Sequence, residues 1–481
     1  MRSSDKGSAH PTCTIAVVGG GFTGAMLCSR LLRQSPGNLS IVLIEREVLP
    51  GRGVAYGTKI DRHLLNVRAN NMSAHPDQPD HFVKWAQCNY SAAVRPEDFL
   101  PRPLYGEYII DQLLEARGAN PGKLHHIQDE VVSLSHAGGA AKIRLAGGQV
   151  ITATKVVLAL GHFPPGNLPF LGKTNQSARY LSNPWSPTPT DVAQDKNVLL
   201  IGSGLTSVDT IIELRAKGFQ GTIHILSRHG LLPKSHNSST PFPPFWNQDS
   251  PKTARGLLRE VRRQVELSEA NGADWRSVID SLRPVTQEVW RSLPLVEQRR
   301  FLRHLRTYWD VHRHRIAERI AEQMAAQIRS GHIQMHAGRV TECREEGGGV
   351  EISYRDRKSG EIRALRVDRV VNCTGPDSDY RRVASPLLSD LMDQGLVRPD
   401  PLALGLDVAD DGALLDAEGV PSDFLYTLGP LRKGGLWESI AVPELRVQIY
   451  DLAERLLNSC KSSGIESEHG AAGVELSTSV V

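Results

Sequence analysis

Two stretches of the chain repeat one short grammar, and no other feature narrows the possible folds as much. The first runs from the β-branched strand Thr14–Val18 through Gly-Gly-Gly-Phe-Thr-Gly into a helix-forming stretch ending at Leu32. It continues into the apolar strand Ser40–Ile44, which closes on Glu45. The second runs from Asn197–Ile201 through Gly-Ser-Gly-Leu-Thr-Ser into a helical pattern reaching Lys217. Its next strand, Thr222–Leu226, closes on Ser227-Arg228-His229. Each is a strand–turn–helix–strand unit, and a βαβ unit with a glycine-rich first turn is a dinucleotide cradle. The expected fold class is α/β, with two Rossmann-type dinucleotide-binding domains.

In the first cradle, Gly19 permits the tight turn, Gly21 lets a pyrophosphate approach the backbone, and Gly24 lets helix and strand pack closely. Phe22 and Thr23 lie between them at the start of the helix, whose unpaired N–H groups face phosphate oxygens. Glu45 stands at the spacing of about 20 residues at which a carboxylate accepts the ribose hydroxyls. This site suits FAD. The second cradle comprises Gly202, Ser203, Gly204, Thr206 and Ser207, with serine in the third place, where only packing is required. Its second strand ends without an acid. Arg228 can pair with a 2′-phosphate, which favours NADPH; the alternative is a surface arginine beside a site for NADH.

Two further strands stop abruptly at glycine: Val156–Leu160 at Gly161-His162-Phe163-Pro164-Pro165, and Val370–Cys373 at Thr374-Gly375-Pro376. They bracket the second unit, so the second domain reads as an insertion in the first. The expected organisation is a flexible stretch 1–12, an FAD-binding domain from 13–165 plus 370–460, an NAD(P)H-binding domain at 166–369, and a disordered tail at 461–481. Within the second domain, 252–330 reads as a helical insert. Leu257, Val261 and Val265 recur at helical spacing there, as do Phe301, Leu305, Trp309, His312, Ile316 and Ile320.

Composition removes several function classes. The formal net charge is +3, which gives no reason to expect nucleic-acid or membrane binding. The 15 Arg against 10 acidic residues between Thr253 and Ser330 suit a solvated helix face laced with ion pairs better than an RNA-binding surface. The six cysteines include no C-x-x-C pair, so a zinc ribbon, an iron–sulfur cluster and a disulfide-reductase dithiol are not expected. A reduced, cytoplasmic protein is the expectation. No apolar run of 18 residues exists, and the Thr14–Cys28 stretch is broken by the glycines of the first cradle. His312 and His314 stand two apart, on different faces of a helix, so no metal site is expected.

Beyond the cradles come Gly51-Arg52-Gly53-Val54-Ala55-Tyr56, His63-Leu64-Leu65-Asn66-Val67 and Pro101-Arg102-Pro103-Leu104-Tyr105-Gly106. Val371-Asn372-Cys373-Thr374-Gly375-Pro376 and Gly434-Gly435-Leu436-Trp437-Glu438 follow. From Thr14 to Leu457 the chain resembles the FAD/NAD(P)-binding proteins that include FAD-dependent urate hydroxylase and the nitrosuccinate synthase that N-hydroxylates aspartate. The resemblance implies that NAD(P)H reduces FAD and that a flavin hydroperoxide hydroxylates an electron-rich small molecule. Urate, giving 5-hydroxyisourate, is the first substrate suggested. N-hydroxylation of an amino acid such as aspartate is an alternative, as are electron transfer to a protein carrier and redox sensing without turnover. Broader flavoproteins of this architecture place a Gly-Asp pair on the flavin ribityl chain. Here Gly429-Pro430 stands in that place, without the carboxylate.

Such an enzyme takes a small-molecule substrate and O2, and the protein must bind, exclude water and move a proton. Tyr56 and Asn66 are the side chains expected to reach the flavin. Arg52 and Arg432, each on a glycine-flanked loop, are candidates for an anionic substrate, and His162 for proton transfer. A helix expected over Glu438–Leu457 would point its N-terminus at the flavin pyrimidine, with Trp437 either stacked on the ring or packed in a core. The sequence leaves the oligomeric state open.

Overall fold

The computed structural model describes residues 13–35, 39–186, 192, 194–238 and 240–469. The expected flexible stretch 1–12 and the end of the expected tail, 470–481, lie outside the described residues.

The first cradle belongs to a six-stranded sheet. From one edge to the other its strands are Ala413–Leu415, Pro421–Thr427, Lys155–Leu158, Cys13–Val18, Leu39–Glu45 and Leu124–Gln128. All neighbours pair in parallel except the first two. Strands of this kind are buried on both faces, which is why Thr14–Val18 and Ser40–Ile44 read as continuous apolar runs. One face carries the helices Phe22–Gln34, Arg102–Ala119 and Val442–His469, packed through Leu27, Leu31, Tyr105, Tyr108 and Leu456. The other carries a three-stranded antiparallel sheet, Val131–Ala137, Ala140–Leu145 and Val150–Ala153, together with the helix Pro386–Asp393.

The second cradle belongs to a seven-stranded sheet, ordered Ile362–Val367, Gly349–Asp356, Ile333–Glu346, Thr222–Ser227, Asn197–Ile201, Arg369–Asn372 and Tyr180–Leu181. Strand Arg369–Asn372 pairs in parallel with Asn197–Ile201, so it belongs to this sheet and not to the first, where the expected boundary at 370 would place it. The stretch 252–330 is not one insert either. Its last helix, Glu318–Arg329, leads into strand Ile333–Glu346 and buries Ile320 and Met324 against the sheet, which makes it the second crossover helix of the Rossmann unit. Helical periodicity does not distinguish a crossover helix from a peripheral one, because both bury one stripe.

At the C-terminus the expected helix Glu438–Leu457 is displaced. It runs Val442–His469, through the first residues of the stretch expected to be a tail. Cys13 and Cys460 are joined by a disulfide that ties the first strand to this helix, with Cα atoms 5.7 Å apart. This corrects the expectation of a fully reduced chain. The pairing spans 447 residues, and no local spacing signals it. Cys28, Cys343 and Cys373 are free and buried, and Cys88 is free and exposed. No helix among the described residues is long and apolar enough to cross a membrane.

Candidate active site

The two cradles are built alike. Gly19 has φ +100°, and a side chain there would run into the carbonyl of Ala159, just past the end of strand Lys155–Leu158. Gly202 has φ +113° and meets the carbonyl of Cys373, just past strand Arg369–Asn372, in the same way. Both positions require glycine twice over, for the left-handed backbone and for the close approach. Gly21 and Gly204 are the N-caps of the helices that follow, and neither cap supplies a side-chain acceptor to the first-turn N–H groups. A helix start left open in this way is an anion site. Gly24 does the packing task, since a Cβ there would strike the Gly19 carbonyl. In the second unit Ser207 is buried, with its hydroxyl donating to the carbonyl of Gly204 at 2.7 Å.

Both cradles open into one cavity of about 2200 Å³. That is more than twice the volume of a pocket for a single drug-sized ligand, which is at most about 1000 Å³. On the first side it is lined by Gly19, Gly21, Phe22, Thr23 and Glu45. Glu45 accepts the Gly20 N–H through Oε2 and the Glu47 N–H through Oε1. On the second side it is lined by Gly202, Ser203, Gly204, Thr206, Arg228 and Gly375. The Ser203 hydroxyl lies 2.6 Å from the Leu231 carbonyl and holds the following loop in place. Arg228 is exposed at this end. Its neighbour His229 is held below the ordinary histidine range by burial and then by the charges of Arg357 and Arg228, so two arginines lie close together here.

The middle of the cavity takes Arg52, Tyr56, Asn66 and His162. The Arg52 Nε is buried without a hydrogen-bond partner. Tyr56 packs edge-on against Tyr105 at 4.7 Å, and burial raises its phenol well above the usual range. His162 lines the cavity and is exposed to it. Desolvation by the surrounding protein, and then the charge of Lys433, lowers it to about 4, so it is a neutral imidazole near neutral pH. The N-terminus of helix Val442–His469 also borders the cavity, through Ala441 and Val442.

Three expected contacts fall elsewhere. Arg432 is buried away from the cavity, where its guanidinium donates to the carbonyl of Asp410 at 2.7 Å. Trp437 does not line the cavity. It is buried and stacked on Trp290 at 5.0 Å, so the core-packing alternative describes it. Gly429, with φ +78°, faces the methyl group of Thr23 and donates its N–H to Gln448, beneath the cradle and outside the cavity lining. His312 packs against Trp275, while His314 faces the cavity beside Asp310. No cluster of three metal-ligating side chains exists among the described residues.

Sequence reasoning missed the residues that join the two halves. His63 and Arg102 both reach Asp209 in the helix Leu205–Ala216, through its carbonyl and carboxylate respectively. The helical insert is clamped to the C-terminal loop by Arg313 on Glu438 at 2.9 Å and by the Trp290 indole donating to the Gly434 carbonyl at 2.7 Å. It also missed Lys433, Arg306 and Asp310, which line the cavity where insert and C-terminal loop meet. The only signal for Lys433 was its place beside Arg432 in the same glycine-flanked loop.

The glycine cradles, the open helix starts and the partnerless Arg52 Nε fit bound dinucleotides. Residues 16–163 match the model of the FAD-NAD(P)-binding family. No curated protein matches the chain. Among solved structures it is similar to ornithine hydroxylase from Pseudomonas aeruginosa, at 16% identity and a TM-score of 0.62, over 93% of this chain and 99% of that one. It is similar to the FAD-bound cadaverine monooxygenase of the desferrioxamine pathway from Erwinia amylovora, at 13% identity and a TM-score of 0.62, over 93% and 94%. Thioredoxin reductase from Lactococcus lactis matches at 12% identity and a TM-score of 0.53, over 94% and 99%. The chain therefore has the α/β fold with two FAD/NAD(P)-binding Rossmann-type domains that these flavoprotein structures share.

Proposed function

We propose that the protein is a flavin-dependent NAD(P)H monooxygenase that hydroxylates a small molecule. The carrying observation is that both cradles open into a single cavity, so that a reductant and a prosthetic group can meet. In this reading Gly19, Gly21, Gly24 and the helix start at Phe22 hold the FAD pyrophosphate, with Arg52 supplying a further donor and Glu45 facing the ribose. Gly202, Ser203, Gly204 and Thr206 hold NADPH, with Arg228 directed at the 2′-phosphate. FAD, when bound, supplies the electron chemistry with O2. The chain's own part is to orient the reactants, wall off water and handle protons. The insert, fastened by Arg313–Glu438 and Trp290–Trp437, closes one side of the cavity. His162, neutral near pH 7, is the candidate to take a proton.

N-hydroxylation of an amino acid or amine is the preferred reaction, because structural neighbours are named as an ornithine hydroxylase, an L-lysine 6-monooxygenase and a cadaverine monooxygenase. Urate has no such support. Disulfide reduction has a neighbour in thioredoxin reductase but lacks the paired thiols, since Cys373 is the one cysteine among the described residues that lines the cavity.

The test is NADPH-dependent oxygen uptake by the FAD-loaded protein with acidic amino acids, diamines and purines in turn. Uptake stimulated by an amino compound, with a product one oxygen atom heavier, supports this reading. Reduction of an added protein carrier with no stimulated oxygen uptake removes it.

A further inference from the structure

We infer that Lys433 is the specificity-determining residue of this cavity and binds an acidic group of the substrate, which makes an amino acid or other carboxylate the substrate class and disfavours a simple diamine. This rests on the monooxygenase reading above. Lys433 sits where the turn Gly429–Arg432 passes into the short helix Lys433–Leu436. Its backbone is fixed on both sides. Arg432 is tied to the Asp410 carbonyl, the Gly434 carbonyl accepts the Trp290 indole N–H, and a side chain at Gly434 would run into the Asp400 carboxylate. Lys433 is the basic residue of this turn that lines the cavity.

Among the described residues the Lys433 ammonium has no hydrogen-bond or ion-pair partner; it lies over the face of Trp437, 5.2 Å from the ring centroid. The acids whose fields reach it are already committed. Asp310 pairs with Arg306 at 3.4 Å, and Glu438 pairs with Arg313 at 2.9 Å. Arg313 also lies 3.7 Å from Glu444, itself paired with Arg283 at 3.0 Å, so with Lys433 four cations meet three carboxylates and one positive charge is left uncompensated. Enclosure makes that expensive: burial first, and then Arg306, lower the Lys433 ammonium to about 8. A carboxylate arriving from the cavity supplies the missing partner. His162 and His314, both neutral with values of about 4, border the same region and can hydrogen-bond to such a group without adding charge. The phosphates have their own seats at the two helix starts.

The test uses the FAD-loaded full chain and succinate as the probe, titrated calorimetrically against wild type, Lys433→Met and Lys433→Arg. A charge-assisted hydrogen bond predicts a loss of about 10- to 100-fold in succinate affinity for the methionine variant, largely restored in the arginine variant. Thermal melting identifies a folding defect, and in that case the arginine variant decides. Unchanged succinate affinity in Lys433→Met overturns the assignment. So does an equal loss of NADPH affinity, which would make Lys433 a cofactor contact. In turnover, wild type should prefer aspartate or ornithine to cadaverine, and equal kcat/KM for cadaverine also overturns it. If no amino compound stimulates oxygen uptake, the monooxygenase reading fails while the succinate titration still decides the role of Lys433.

Discussion

Arg102 and Asp209 form a buried bidentate ion pair across the two halves of the molecule, with N–O distances of 2.8 and 3.0 Å. Arg102 opens the helix Arg102–Ala119 of the first domain, and Asp209 lies within the helix that follows the second cradle. The same arginine donates to the Leu64 carbonyl at 3.0 Å, so the motif segments around residues 63–67 and 101–106 act together as a strut. Removing one partner leaves the other charge buried. Arg102→Met or Asp209→Asn should each destabilise the protein by about 3–5 kcal/mol in denaturant unfolding. The double variant, which strands no charge, should lose less than the sum.

Gly24→Ala should abolish FAD retention. The added methyl has nowhere to go but into the Gly19 carbonyl, so the first helix must move off the strand that supports the phosphate seat. Absorbance of the purified variant checks this: it should be colourless, whereas Gly118→Ala, where a Cβ meets nothing within 4 Å, should remain yellow.

Arg228→Glu should weaken NADPH about 10- to 100-fold while changing NADH little, since a 2′-phosphate pair is charge-assisted and the 2′-hydroxyl has no charge to lose. KM values for the two reductants measured side by side decide this. An equal loss for both would assign Arg228 to a part of the dinucleotide that they share.

The role inferred for Lys433 sets a pH dependence. Its ammonium is lowered to about 8, and the charged form binds the acid, so kcat/KM for an acidic substrate should fall as pH rises through about 8. Below that value the charge is complete and no limb from this group is expected. In Lys433→Arg the alkaline limb should move beyond the accessible range, because guanidinium stays charged.

Both cradles were legible because their signals are local. Asn197–Ile201 is the observed strand residue for residue, and Thr14–Val18 falls one residue short of Cys13–Val18. A β-branched run that stops at a glycine turn carries its own boundary. What lay beyond reach was set by distant partners. Trp437 packs with Trp290 instead of facing a ligand because the insert brings a second indole against it. Whether Arg432 or Lys433 faces the cavity depends on one step of a short turn, and the carbonyls of Ala409 and Asp410 capture the arginine. Strand Arg369–Asn372 reads like any short buried strand, and its sheet is fixed by pairing with residues far away in sequence. The helix start slipped from Glu438 to Val442 because Glu438 is held by Arg313 and Trp309, neither of them near in sequence.

The central claim is that the two cradles serve one cavity, one retaining FAD and the other admitting NADPH. Anaerobic mixing of the FAD-loaded protein with NADPH tests it most directly, followed by the flavin absorbance. The account predicts bleaching that saturates with NADPH concentration and is weakened in Arg228→Glu. A protein that takes up no FAD, or holds FAD that NADPH does not bleach, would contradict it.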